Sequence, residues 1–275
     1  VRTAGDLDRG GDRLILVAVH GNGGGGARFD AMRAHLPAGL RLVAPDLPGF
    51  GALGEGDPGG IDPERLTMAD YAAALAQVLA DLPRPRVLLG HGIGGSFVLE
   101  LLQRGRSAVD GVILHAPVGA HLDRRWFPRL MRSRLARWCV QRGISSPWLR
   151  PLVRRRLLRG RDWPRAAVDR FFADYRRCRA FGRMFDLIDA AWFDGLRPVE
   201  VPAVLLWGGR ERVLDPSHAE AFRALLPGAG VVVEPGWDHF PMIDDPAGYT
   251  ARVAGLARAL VHPGLDPRTE AACPG

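Results

Sequence analysis

The chain has 275 residues, of which 47% are hydrophobic and 24% charged, and its formal net charge is +7. That size and apolar share suit one large domain with an insertion, or two small domains, and exclude a disordered chain. No apolar run is long enough to span a membrane, the cysteines Cys139, Cys178 and Cys273 form no CxxC pair or metal spacing, and no repeat recurs.

The opening stretch VRTAGDLDRGGDRLILVAV lacks a basic start, a long apolar run and a cleavage site, which predicts no signal peptide and a cytoplasmic location. Within it, RLILVAV (Arg13–Val19) reads as a buried parallel strand leading into a glycine cluster. FDAMRAHLP has helical spacing and stops at Pro37, and Leu40–Pro45 reads as a second strand. Thr67–Leu82 is a helix with Thr67 as N-cap, closed by Pro83 and Pro85. Arg86–Gly90 is a third strand, followed by a helix from Gly94 to Arg104 and a fourth strand over Val109–Pro117. The pattern then becomes helical until Val201–Gly209, where strand character returns. A helix over Ser217–Leu226, a strand over Gly230–Gly236 and a helix from Asp245 to Val261 complete the chain, and the Pro- and Gly-rich tail 263–275 is expected to be loose.

Alternating strands and helices predict a mostly parallel sheet covered on both faces, an α/β fold with one helical insertion. Charge divides the chain in the same place. All 37 basic residues are arginine, and 20 of them fall in His121–Arg197 against seven Asp and no Glu. Residues 1–120 and 198–262 are therefore expected to form the core, and 121–197 an Arg-rich helical cap. The lysine-free, Ala-, Gly- and Pro-rich composition resembles a high-GC bacterial coding bias.

Two glycine-rich loops compete for the functional reading. Gly21, Gly23 and Gly26 satisfy GxGxxG after a strand, with Asp46 twenty residues on, which is a dinucleotide-binding outline. In a chain with 35 glycines a chance match is easy. Five other segments point elsewhere and do so in order: VHGNGG, APDLPGFG, LLGHGIGG, LLWGGRERVLDP and EPGWDHFPMIDDP. Together they resemble the oxyanion loop, nucleophile elbow, acid loop and histidine loop of the α/β-hydrolase superfamily, in a cap-bearing subgroup. The resemblance spans both halves of the chain and implies an α/β-hydrolase fold, with no cofactor and no metal.

It also implies roles for particular residues. His239 matches the catalytic histidine, and Glu211 stands where the superfamily usually has Asp, with Asp215 as the alternative acid. Backbone N–H groups of Asn22 or Gly23 and of Ile93 would form the oxyanion hole, and Trp237 is expected to border the pocket. At the apex of the elbow, where a serine belongs, stands Gly92. Glycine accepts the strained turn but cannot attack a carbonyl, and Ser96, inside the following helix, is a poor substitute. His20, His91 and His115 read as structural and Asp46 as a loop-ordering carboxylate. Trp126, Trp148, Trp163, Trp192 and Phe193 read mainly as cap packing, with some roofing an apolar substrate.

Three functions fit. The first is a non-hydrolytic lyase, isomerase or cyclase of bacterial specialised metabolism, with His239 as general acid and base. The second is an ester or thioester hydrolase, either a serine type whose nucleophile has become Gly92 or one using a histidine-activated water. The third is a non-catalytic small-molecule-binding protein. In each the ligand is a small apolar or carbonyl-containing molecule, and the Arg-rich cap suggests an acidic partner such as a carrier protein or coenzyme A ester. Nucleic acid is not expected.

Overall fold

A computed structural model describes residues 14–54, 62–105, 109–157, 163 and 165–262. The expected tail, and Arg13 with the stretch before it, lie outside these residues. Six strands form one parallel sheet: β1 (Leu14–Val19), β2 (Leu40–Val43), β3 (Arg86–His91), β4 (Gly111–His115), β5 (Ala203–Gly208) and β6 (Gly230–Glu234). Their spatial order is β2-β1-β3-β4-β5-β6. β1 and β4 are buried along their whole length, as aliphatic runs in a sheet covered on both faces must be. β2 and β6 are the edge strands among the described residues, and on β6 Val231 and Val233 stand exposed.

Helices follow as the alternation predicts. α1 (Met68–Ala80) starts with a capping box, the Thr67 side chain accepting from Asp70 N–H while Asp70 accepts from Thr67 N–H. α2 (Ile93–Gln103) follows β3, and its buried acid Glu100 accepts from Arg104. One expected α-helix differs. Gly26–His35 is a 3₁₀ helix whose buried Gly26, Phe29 and Met32 recur every three residues. That repeat matches three residues per turn rather than 3.6, so the tighter helix keeps all three on its buried side. The expected helix at Ser217 likewise begins as a 3₁₀ turn, Pro216–His218.

Between β4 and β5 every described element is helical: a 3₁₀ turn at Leu122–Arg124, then α3 (Trp126–Leu130), α4 (Arg134–Ser145), α5 (Arg150–Leu157), α6 (Arg165–Arg177), α7 (Met184–Leu187) and α8 (Ala190–Asp194). α9 (Ala219–Leu225) follows β5, and α10 (Pro241–Asp244) and α11 (Pro246–Val261) follow β6. The sheet order reverses direction at β1, so the loops leaving β1 and β3 open into the crevice where parallel α/β sheets bind ligands.

Candidate active site

Gly92 sits between the last residue of β3 and the first of α2 with φ 57° and ψ −120°. An L-residue rarely holds that conformation, which glycine takes freely. The turn is tied to its neighbours, because Gly92 N–H donates to His115 O (3.0 Å) and Gly92 O accepts from Val118 N–H (3.1 Å). A Cβ built on Gly92 would meet only Gly21 Cα, at 3.6 Å, so the apex has room for a side chain.

His239 follows β6 on a short loop, and Glu211 follows β5. His239 Nδ1–H donates to Glu211 Oε2 at 2.7 Å. The Glu211 side chain is fully shielded from solvent. Burial works against its ionisation, but the charge and hydrogen bond of His239, with N–H donors from Val213 (2.7 Å) and Leu214 (3.2 Å), hold its carboxyl below the usual range. Asp215 is elsewhere: it caps the Pro216 turn by accepting from Ser217 N–H. Glu211, not Asp215, is the carboxylate at His239.

The histidine is held from behind. His91 Nε2–H donates to His239 O (2.9 Å), and its ring lies 4.6 Å from that of His239 and 4.9 Å from that of His115. Burial, then the neighbouring His239 and His115, push the His91 pKa well below the ordinary histidine value. Burial likewise lowers His115 to about 3 and His20 to about 4. All three are therefore neutral structural imidazoles, with His20 donating from Nδ1 to Gly21 O and accepting from Leu47 N–H.

On the β1 loop, Gly23 has φ 69°, and a Cβ there would collide with the Tyr175 ring. Its N–H donates to Asn22 Oδ1 (3.0 Å), and the Asn22 amide donates to Phe181 O (3.3 Å). Gly23 N–H is thus engaged, which leaves Asn22 and Ile93 as the remaining candidates among the expected backbone donors. Both residues line a cavity of about 240 Å³ together with Gly92 and His239. The segment between β4 and β5 adds a mainly apolar wall, Phe127, Ile144, Phe181, Met184, Phe185 and Ile188, with the charged Asp123, Arg125, Arg132 and Asp189 also lining the cavity.

Arg28 supplies a buried positive charge at the cavity. Its guanidinium lies 4.0 Å over the Phe171 ring, donates to Gly23 O (3.0 Å) and reaches Asp174 at 3.5 Å. Arg28 was not expected from the motifs, and the aromatic side chains that line the cavity include Phe127, Phe181 and Phe185 rather than those singled out in the sequence. A signal for the wall exists, since Phe181, Met184, Phe185 and Ile188 repeat at the three- and four-residue spacing of one helix face.

Ser96 and Cys178 are both placed away from the cavity. The Ser96 hydroxyl is buried and donates to Val118 O (2.8 Å). Cys178 is fully buried, lies off the cavity wall, and burial pushes its thiol up to about 12. Among the described residues, no three His, Cys, Asp or Glu side chains group as metal ligands.

The sequence from residue 16 to residue 253 matches the profile of the Alpha/beta hydrolase family. The chain belongs to this family. As an α/β hydrolase it is similar to an uncharacterised Mycobacterium tuberculosis protein, 26% identical over 265 residues covering 86% of this chain and 73% of the relative. It is also similar to a pimeloyl-[acyl-carrier protein] methyl ester esterase of Neisseria meningitidis serogroup B, 25% identical with 91% and 93% covered. Among solved structures, a thermophilic esterase from Thermogutta terrifontis superposes with a TM-score of 0.68 at 21% identity, covering 91% of each chain.

Two expectations need correction within this α/β-hydrolase frame. Trp237 does not border the cavity. Its ring packs 5.2 Å from Tyr249 and its indole N–H donates to Asp245 (3.4 Å), because the backbone turn before His239 faces it toward α11. None of the cap aromatics singled out as a possible roof lines the cavity either. Trp126 and Trp148 point to solvent, while Trp163 and Trp192 anchor to Asp244 and Glu100. Asp46, the acid of the GxGxxG outline, accepts from Gly26 N–H (2.7 Å) and Ala52 N–H (3.0 Å) and so ties two loops together.

Proposed function

We propose that this α/β hydrolase acts on a small apolar ester without a covalent acyl-enzyme intermediate, using His239 as general base toward water. The observation that carries this is the pairing of a glycine at the elbow apex with an intact His239–Glu211 dyad 2.7 Å apart. Water admitted above Gly92 gives its proton to His239 Nε2 and attacks the carbonyl carbon. The developing oxyanion is held by Asn22 and Ile93 N–H, where each such donor contributes about 3 kcal/mol to a transition state of this kind. Glu211 fixes the tautomer and stabilises the imidazolium. The imidazolium then protonates the leaving alkoxide.

Segment 121–197 acts as the cap and 1–120 with 198–262 as the core. The cap's apolar wall selects the acyl chain, and Arg28 orients a polar end of the substrate. That a similar protein is named an esterase of an acyl-carrier-protein ester supports an ester as the substrate class.

A second reading is proton transfer without hydrolysis: elimination, isomerisation or cyclisation at the same dyad. The mainly apolar cavity wall favours it, because a dry site lets His239 shuttle a proton while excluding competing water.

The test is a panel of simple esters and thioesters given to the native chain and its Gly92→Ser and His239→Ala variants. Hydrolysis by the native chain without a burst, abolished in His239→Ala, is the expected result. Native inertness with a burst in Gly92→Ser overturns hydrolysis by activated water, and inertness of both chains toward every ester favours the second reading. Native ester hydrolysis unchanged in His239→Ala overturns both.

A further inference from the structure

The outer side of the segment between β4 and β5 has a composition that a water-facing surface should not have. Ten large hydrophobic side chains stand exposed among the described residues, and seven of them fall between Trp126 and Leu152. Trp148 is 91% exposed, Trp126 71% and Leu135 70%. On α4, Leu135, Trp138 and Arg142 share one outward face at helical spacing, and the Arg142 guanidinium lies 5.1 Å over the Trp138 ring. Leu149 folds back onto the end of α4, with Cδ1 3.5 Å from where a Gly143 Cβ would stand, so the loop carrying Trp148 adjoins that helix. Clusters of exposed apolar side chains of this size mark contact surfaces.

The charge of the same stretch names the partner. Between Asp123 and Asp162 the sequence has thirteen arginines and no acid. Arg129, Arg142 and Arg155 are exposed and form no salt bridge with a carboxylate among the described residues. A two-fold contact between copies through this face would set arginine against arginine. Tryptophan and leucine projecting among arginines is instead the chemistry that seats a helix in the headgroup layer of an anionic bilayer. The arginines supply attraction to the surface charge and the aromatic and aliphatic side chains supply insertion.

We infer that residues 126–155 form a docking face for an anionic lipid surface, binding it peripherally. No described helix is long and apolar enough to cross a membrane, so the attachment lies in the interface plane. α3 and α4 carry this face on their outer side and Phe127 and Ile144 of the cavity wall on their inner side. Docking would therefore bring the cavity wall against the bilayer. The inference stands apart from the reaction proposed above, since its readout is binding.

The test is co-sedimentation of the intact chain with phosphatidylcholine vesicles and with mixed phosphatidylcholine–phosphatidylglycerol vesicles. Partition onto the mixed vesicles alone is expected, weakening as salt rises. A Leu135→Ser, Trp138→Ser, Trp148→Ser variant should lose at least about tenfold in partition. If that variant fails to fold, Arg129→Glu with Arg142→Glu provides the second reading and should lose the same binding. Absence of partition onto mixed vesicles overturns the inference, as does equal binding to neutral vesicles. Saturable binding to an acidic acyl carrier protein without vesicle binding also overturns it, in favour of a protein partner.

Discussion

At the scale of single residues, the dyad makes the sharpest demand. Glu211 Oε1 serves the loop by accepting from Val213 and Leu214, while Oε2 serves His239. Glu211→Gln should keep the first job and invert the second. The new amide NH₂ would donate to Nδ1, placing the imidazole proton on Nε2, where a base needs a lone pair. Activity toward any ester turned over by the native chain should fall on the order of 10³- to 10⁴-fold, with the thermal midpoint little changed. Steady-state kinetics beside a melting curve checks both halves.

The sequence made His239, Gly92 and Glu211 legible because each sits at a fixed offset from a strand end, and parallel strands bring such ends together. Choosing between Glu211 and Asp215 required the structure, since either lies within loop reach of His239. Asn22 was legible only as a backbone position; that its side chain would occupy Gly23 N–H has no sequence signature. Arg28 was hidden because burial of an arginine depends on Phe171, Tyr175 and Phe240, which are distant in sequence.

At the scale of elements, strand runs and the Thr67 cap read directly, because local pattern and burial agree there. The helices between β4 and β5 read only as helical, since their faces are set by one another. Arg137 shows how. It is buried on α4, donates from Nε to Met131 O, and grips the Asp186 carboxylate of α7 with both terminal nitrogens. Arg137's hydrogen bonds, more than its charge alone, hold the Asp186 carboxyl below its usual range. α7 carries Met184 and Phe185 into the cavity, so this fork braces the wall from outside. Arg137→Met should cost about 2 kcal/mol in a urea titration, the scale of a lost charged hydrogen-bond pair with one partly exposed partner. Because the wall touches substrate and not the reacting atoms, KM should rise more than kcat falls.

At the scale of the whole molecule, acid stability follows from the buried imidazoles. His20, His91 and His115 have folded pKa values lowered by burial, to about 4 for His20 and about 3 for His115. In the unfolded chain each takes a proton near pH 6.5. The unfolded state thus binds more protons below that pH, and stability present above pH 6.5 is lost as pH falls toward the folded values. With three such groups the unfolding free energy should fall by up to about 4 kcal/mol per pH unit between roughly pH 6 and pH 4. Urea titrations across that range measure the slope, and His115→Asn should reduce it by about one proton.

The same three neutral rings bear on where protons can go. His239, His91 and His115 form a column of imidazoles running from the cavity into the core, an arrangement that resembles a proton wire. It behaves as an insulator. His91 spends its Nε2–H on the His239 carbonyl, and charging either inner ring is opposed by burial and by its neighbours. In the proposed reaction, a proton picked up by His239 therefore returns through the cavity rather than passing inward to His91 and His115.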